Sequence, residues 1–176
     1  MRNNSFVNNN DFKEVLTMLL IAIFIIYFQT YFILNLSSPF SAIDLITITI
    51  IFLAIEYDIL PVLITSIVAG LLCDALAIFH SGFYLFYFVF ALFMAKLINK
   101  FFVLKNLFSK FLSFLVIYLL KYIFVFTLLI HQSIPFHYYL YTVSKQFFIS
   151  IVFFFVIAKS LSLFLDILFV KHLFRK

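Results

Sequence analysis

The sequence predicts an all-α polytopic membrane protein, a six-helix transmembrane bundle, and three observations carry that prediction. Of 176 residues, 66% are apolar and 11% are charged, against roughly 25% charged in a soluble domain. So few charges cannot cover a water-facing surface, whereas lipid needs none. The apolar residues fall into runs of about 20 residues separated by Pro, Ser, Asn and Lys, which is the length of a membrane crossing. The lysines and arginines flank those runs instead of gathering in one patch, so the net charge of +5 reads as an orientation signal and excludes a nucleic-acid surface. The 29 Phe and 10 Tyr without Trp match the codon bias of an AT-rich genome and define no cofactor box.

The elements follow in order. Residues 1–14, MRNNSFVNNNDFKE, are polar and too short to fold alone, and are expected to form a frayed tail. Val15 to Leu36 is longer than a signal-peptide core and has no small-residue cleavage site, so it reads as a retained first span. "NLSSPFSA" breaks it at Pro39, and residues 41–57 form the second span, short for a crossing. "EYDILP" is a tight turn whose Pro61 suits the first turn of a helix. The third span is 59–80, closed by Ser81 and by Gly82 as a C-terminal cap. The fourth is 83–98, followed by a basic connection, and the fifth is 111–130. "HQSIPFHYY" is a loop broken by Pro135, and 147–170 is the sixth span. No connection is long enough for a second fold, so residues 1–176 form a single integral membrane domain.

With the N-terminus inside, six spans put Arg2, Lys13, Lys96, Lys100, Lys105, Lys110, Lys171, Arg175 and Lys176 on the cytoplasmic side and Lys145 near the outside. Both termini are therefore expected in the cytoplasm. Lys96, at a helix end, reads as part of this signal and nothing more.

Charges within the spans are the candidate functional residues, because each costs about 2.5–3.5 kcal/mol near the bilayer centre even on lenient scales. Asp44, near the outer end of the second span, is suited to cap a helix start, with a partner contact as the other reading. Asp74 in "GLLCDALAIFHSG" lies about 8 Å below the outer end of the third span at 1.5 Å per residue. Three roles are open to it: a buried structural pair, a partner contact, or ion handling. Lys121 in the fifth span can reach up to that depth and is the expected partner of Asp74, with Lys159 in the sixth span as the other candidate. Lys159 and Asp166, seven residues apart, share a helix face. Gly70, one turn before Asp74, admits a close helix approach, which makes its face a candidate partner contact.

No chemistry of catalysis is written here. His80, His131, His137 and His172 fall in loops or at ends without the spacing of a triad or metal motif, and two glycines cannot build a phosphate loop. The one cysteine, Cys73, reads as a small packing residue. No enzyme activity, cofactor or metal is expected.

The stretch "PVLITSIVAGLLCDALAIFHSGFYLFYFVFALFMAKL" resembles the signature region of the bacterial rod shape-determining protein MreD family, with a Gly-x-x-x-Asp run at Gly70 and Asp74 and a glycine at Gly82 opening the next span. "SSPFSAIDLITITIIFLA", with Asp44 after Pro39, is similar to that family's second span. The resemblance implies a non-enzymatic component of the bacterial inner membrane that binds the bitopic protein MreC. It would act with MreB, RodA and a class B penicillin-binding protein in the elongation complex that builds peptidoglycan. It also implies the fold of the S components of energy-coupling-factor transporters. The alternative function is accordingly that of a vitamin-binding S subunit, which requires a pocket lined by convergent polar groups.

Overall fold

The computed structural model describes residues 9–35, 43–76, 82–102, 106–130 and 136–168. Helix α1, Asn9–Phe28, runs on into a π-helical turn, Gln29–Ile33. Helices α2 (Leu45–Glu56), α3 (Ile59–Leu76), α4 (Phe83–Phe101), α5 (Leu107–Ile130) and α6 (Phe136–Leu168) complete an all-α bundle. Five segments are long and apolar enough to cross a membrane: Phe12–Ile33, Ile59–Leu76, Phe83–Phe101, Leu107–Phe126 and Ser144–Leu165. The protein is therefore a multi-pass membrane protein.

The exception is α2, and it organises the rest. Its 12 residues extend about 18 Å, well short of a hydrocarbon core of about 30 Å. Every side chain from Ile46 to Ile55 is buried, and α1, α3, α4, α5 and α6 all pack against it. "LITITIIFLAI" is rich in β-branched residues, which are mediocre helix formers in water. Inside a bundle the choice disappears, because every backbone group must be satisfied within the segment. Hydroxyls that accompany the apolar residues bond back to their own helices: Thr49 to Leu45 O at 2.8 Å, Thr65 to Pro61 O at 2.9 Å and Thr30 to Ile26 O at 2.8 Å.

Around this post the other helices turn apolar side chains outward. Phe24, Phe93, Phe108, Phe148, Val152 and Val156 are exposed on four of them, which is the surface expected where lipid replaces water. Helices α5 and α6 meet through aromatic side chains: the Phe114 and Phe154 rings stack at 4.3 Å, and Tyr118 Oη donates to Ser150 Oγ at 2.8 Å.

Several expected boundaries move. The tail expected through Glu14 is helical from Asn9, the fifth span begins at Leu107, and α6 begins at Phe136, so Phe136 to Tyr139 of the expected loop are helix. A proline at 135 is compatible with all of this, since Pro interrupts the residue before it more than the helix after it. The second span, expected over 41–57, is the short buried post and no full crossing. The third helix ends at Leu76 as described, and Gly82, expected to close it, is instead the N-cap of α4 with φ +93°. Pro39, His80, Ser81, His131, Pro135 and His172 lie outside the described residues.

Candidate functional site

The N-terminus of α2 ends inside the bundle, so its unpaired N–H groups cannot reach bulk water and must find partners in the protein. Asp44 is the N-cap: its Oδ1 accepts from Thr47 N at 3.3 Å. Gln29, brought across by the π-helical turn of α1, accepts from Ile46 N through Oε1 at 2.9 Å. A π-turn rotates the residues that follow it relative to an unbroken α-helix, and such turns gather at functional positions.

The other carboxylate oxygen of Asp44 forms an ion pair with Lys121 Nζ of α5. Both residues are buried, with 2% and 5% of their surface exposed. Lys121 also donates to Thr47 Oγ1 at 3.2 Å, and its ammonium lies 5.7 Å and 5.8 Å from the ring centroids of Tyr84 and Tyr118. A buried ion pair is tolerable when hydrogen bonds and aromatic faces take up its remaining capacity, and this one has both.

Lys121 thus pairs with Asp44 and not with Asp74. The Asp74 carboxylate accepts instead from the backbone N–H groups of Tyr84 at 2.9 Å and Leu85 at 3.0 Å. These are the second and third residues of α4, the donors an N-cap side chain would ordinarily satisfy. Gly82 has no side chain for the task, so α3 supplies one, and the negative charge meets the positive end of the α4 dipole.

Gly70 belongs to the same joint. A Cβ placed there would lie 2.5 Å from Leu85 Cα and 2.8 Å from Leu85 N, so the bare backbone of α3 is what allows α4 to come close enough for Asp74 to reach. Gly70, Asp74 and Gly82 are therefore one device that closes α3 onto α4. The close approach at Gly70, expected at a partner, is made by the chain's own helix.

At the other end of α2, Lys110 of α5 forms an ion pair with Glu56, and Lys96 of α4 donates to Tyr57 O. A cation on the last carbonyls of a helix complements its dipole, so Lys96 does more than orient the chain. The two ion pairs share a register. Residues 44 and 56 are twelve apart on α2, and 110 and 121 are eleven apart on α5, or about 18 and 17 Å at 1.5 Å per residue. Helices α2 and α5 are antiparallel and tied at both ends.

Lys159 is exposed on α6 and joins none of these contacts. The side chain of Asp166, expected on the same face, lies outside the described residues. Gln29, Glu56, Tyr84 and Tyr118 take part in the site without having been singled out by charge or spacing. Of these, Gln29 carried a signal, a polar amide in the apolar run "IIYFQTYF".

Two concavities flank these joints. One, of about 180 Å³, opens beside the start of α2 and is lined by Ile26, Gln29, Thr30, Leu34, Ile46, Cys73, Leu76 and Tyr84. The other is an apolar groove of about 570 Å³ along α3 and α4, bounded by Ile67, Gly82, Leu85, Phe86, Val89 and Phe93. Among the described residues no three His, Cys, Asp or Glu side chains gather to hold a metal ion. The arrangement can fix helices and present surfaces to a neighbour. Comparison with family models, with curated proteins and with solved structures finds no match to this chain.

Proposed function

We propose that this protein is a non-enzymatic adaptor of the bacterial inner membrane, similar to MreD, which binds an MreC-like single-span partner within the complex that elongates the cell wall. The observation that carries the reading is the joint of Gly70, Asp74 and Gly82. These three of the residues that carry the resemblance act together, holding α3 and α4 as a rigid hairpin. A rigid hairpin preserves the shape of the groove along its outer side, lined by Ile67, Leu85, Phe86, Val89 and Phe93. Helix association in lipid depends on such fixed shape, because hydrophobicity alone does not distinguish a partner from acyl chains. An apolar helix of a bitopic protein suits this groove, and the S-component-like arrangement of helices belongs to the same proposal.

The S-subunit reading has less support: the cavity with polar lining, about 180 Å³, is below the range of roughly 300–1,000 Å³ typical of ligand pockets, and the groove of about 570 Å³ has no convergent polar groups. The test is co-purification of a tagged MreC-like protein from the same cells with wild type and with Val89→Trp, which fills the groove while leaving Gly70, Asp74 and Gly82 in place. The adaptor reading predicts a complex with wild type and a much reduced yield with the variant at equal expression. No complex with wild type, together with retention of a vitamin, would overturn it.

A further inference from the structure

The cavity beside the start of α2 has a polar lining that the hairpin and its groove do not use. Gln29 and Thr30 face it from α1, Cys73 from α3 and Tyr84 from α4, with Ile26 and Ile46 as apolar walls. By the distribution of lysines and arginines it lies toward the outer face of the membrane.

We propose that this cavity is a socket for one aromatic side chain with a hydrogen-bond donor at its tip, Tyr or Trp, from the outer-leaflet segment of the single-span partner; the proposal rests on the adaptor reading.

Size decides first. A volume of about 180 Å³ is small for a free ligand and fits one large side chain. Charge decides next. The neighbouring Lys121 and Asp44 neutralise each other, and the positive end of α2 points here, so an arginine or lysine would meet an unfavourable field and gain no free carboxylate. An acid would have to part with its hydration in a cavity that offers it no free cation, since Lys121 is engaged by Asp44.

Hydrogen bonding then separates the neutral residues. Thr30 Oγ1 spends its proton on Ile26 O at 2.8 Å and keeps its lone pairs, so it accepts. The Tyr hydroxyl and the Trp indole N–H both donate, and the Tyr84 ring gives either aromatic body a face or edge to pack on. Side chains of this kind, seated in a water-excluding pocket, carry much of the energy of protein interfaces.

Cys73 is the one cysteine of the chain and lines the cavity, so its alkylation reports directly on occupancy. Purified protein in detergent is treated with N-ethylmaleimide in the presence of p-cresol, 3-methylindole, toluene or n-propylguanidinium, the analogues of Tyr, Trp, Phe and Arg. p-Cresol and 3-methylindole are expected to slow alkylation about tenfold at concentrations some tenfold above their dissociation constants, toluene less, and the guanidinium not at all. Thr30→Val, which removes the acceptor without adding bulk, should reduce protection by p-cresol to that by toluene. Thr30→Phe should fill the socket, abolish protection and lower the yield of the partner complex.

Absence of protection by p-cresol, or equal protection by toluene in wild type, would overturn the socket; where burial keeps the thiol too slow to read, the thermal shift given by the same four compounds makes the same comparison. A partner that co-purifies with Thr30→Phe as fully as with wild type would overturn the socket alone. A partner that fails to bind wild type at all overturns the adaptor reading, while the alkylation result still reports whether the cavity accepts the aromatic donor.

Discussion

An aspartate in lipid needs a partner, and the partner need not be a cation. Asp74 is satisfied by two backbone donors at the start of α4, and that is why pairing it with Lys121 on charge alone fails. Asp74→Ala should cost about 1–3 kcal/mol by leaving those N–H groups buried and unpaired. Combined with Lys121→Met, its effect should depart from additivity by no more than about 1 kcal/mol, because among the described residues the two meet through Tyr84 alone, whose amide Asp74 holds and whose ring faces Lys121. Thermal unfolding of the two single variants and the double variant in detergent measures this, and a larger coupling would mean that the two residues share one network. The capping role of Asp44 was legible from an acidic residue placed before an apolar run. Its pairing with Lys121 was not. Depth counted along the sequence takes α2 for a full crossing, and a helix that starts inside the bundle brings Asp44 lower than a full crossing would.

At the scale of elements, glycine positions were legible and their partners were not. "GLLCD" announces a close approach, but a sequence does not say whether the approaching helix belongs to the same chain. The geometry answers with Leu85. Gly70→Ala forces a methyl group against backbone, which cannot move aside as a side chain can, and should destabilise by about 1–3 kcal/mol. Gly82→Ala meets no atom within 4 Å, so its cost should be the left-handed backbone alone, about 1–2 kcal/mol. Hydrogen exchange at the start of α4 distinguishes them: Gly70→Ala should open the Tyr84 and Leu85 amides, which Asp74 would no longer reach, and Gly82→Ala should raise their exchange less. The inner tie between Glu56 and Lys110 is partly exposed, and Lys110→Ala should cost no more than about 1 kcal/mol.

For the whole molecule, composition and the lysine pattern were enough to read a multi-pass helical bundle, because they report on the solvent around the protein and not on contacts within it. What they could not convey is that one helix is a buried post of 12 residues: an apolar run reads alike whether lipid or protein surrounds it. A reporter active only outside the cytoplasm should be silent after Lys176 and active when inserted at Ser133, and the reverse would overturn the orientation. The central claim is that the intramembrane charges tie the post to its neighbours and leave partner binding to uncharged surfaces. The most direct test is the cycle of Asp44→Asn, Lys121→Met and the double variant, followed by thermal stability and by yield of the partner complex. Each single variant leaves an uncompensated buried group and should cost about 3–5 kcal/mol. The double variant should recover most of that stability and bind the partner as wild type does. Additive losses would contradict the structural pair, and a stable double variant that no longer binds the partner would show that the charges themselves are what is recognised.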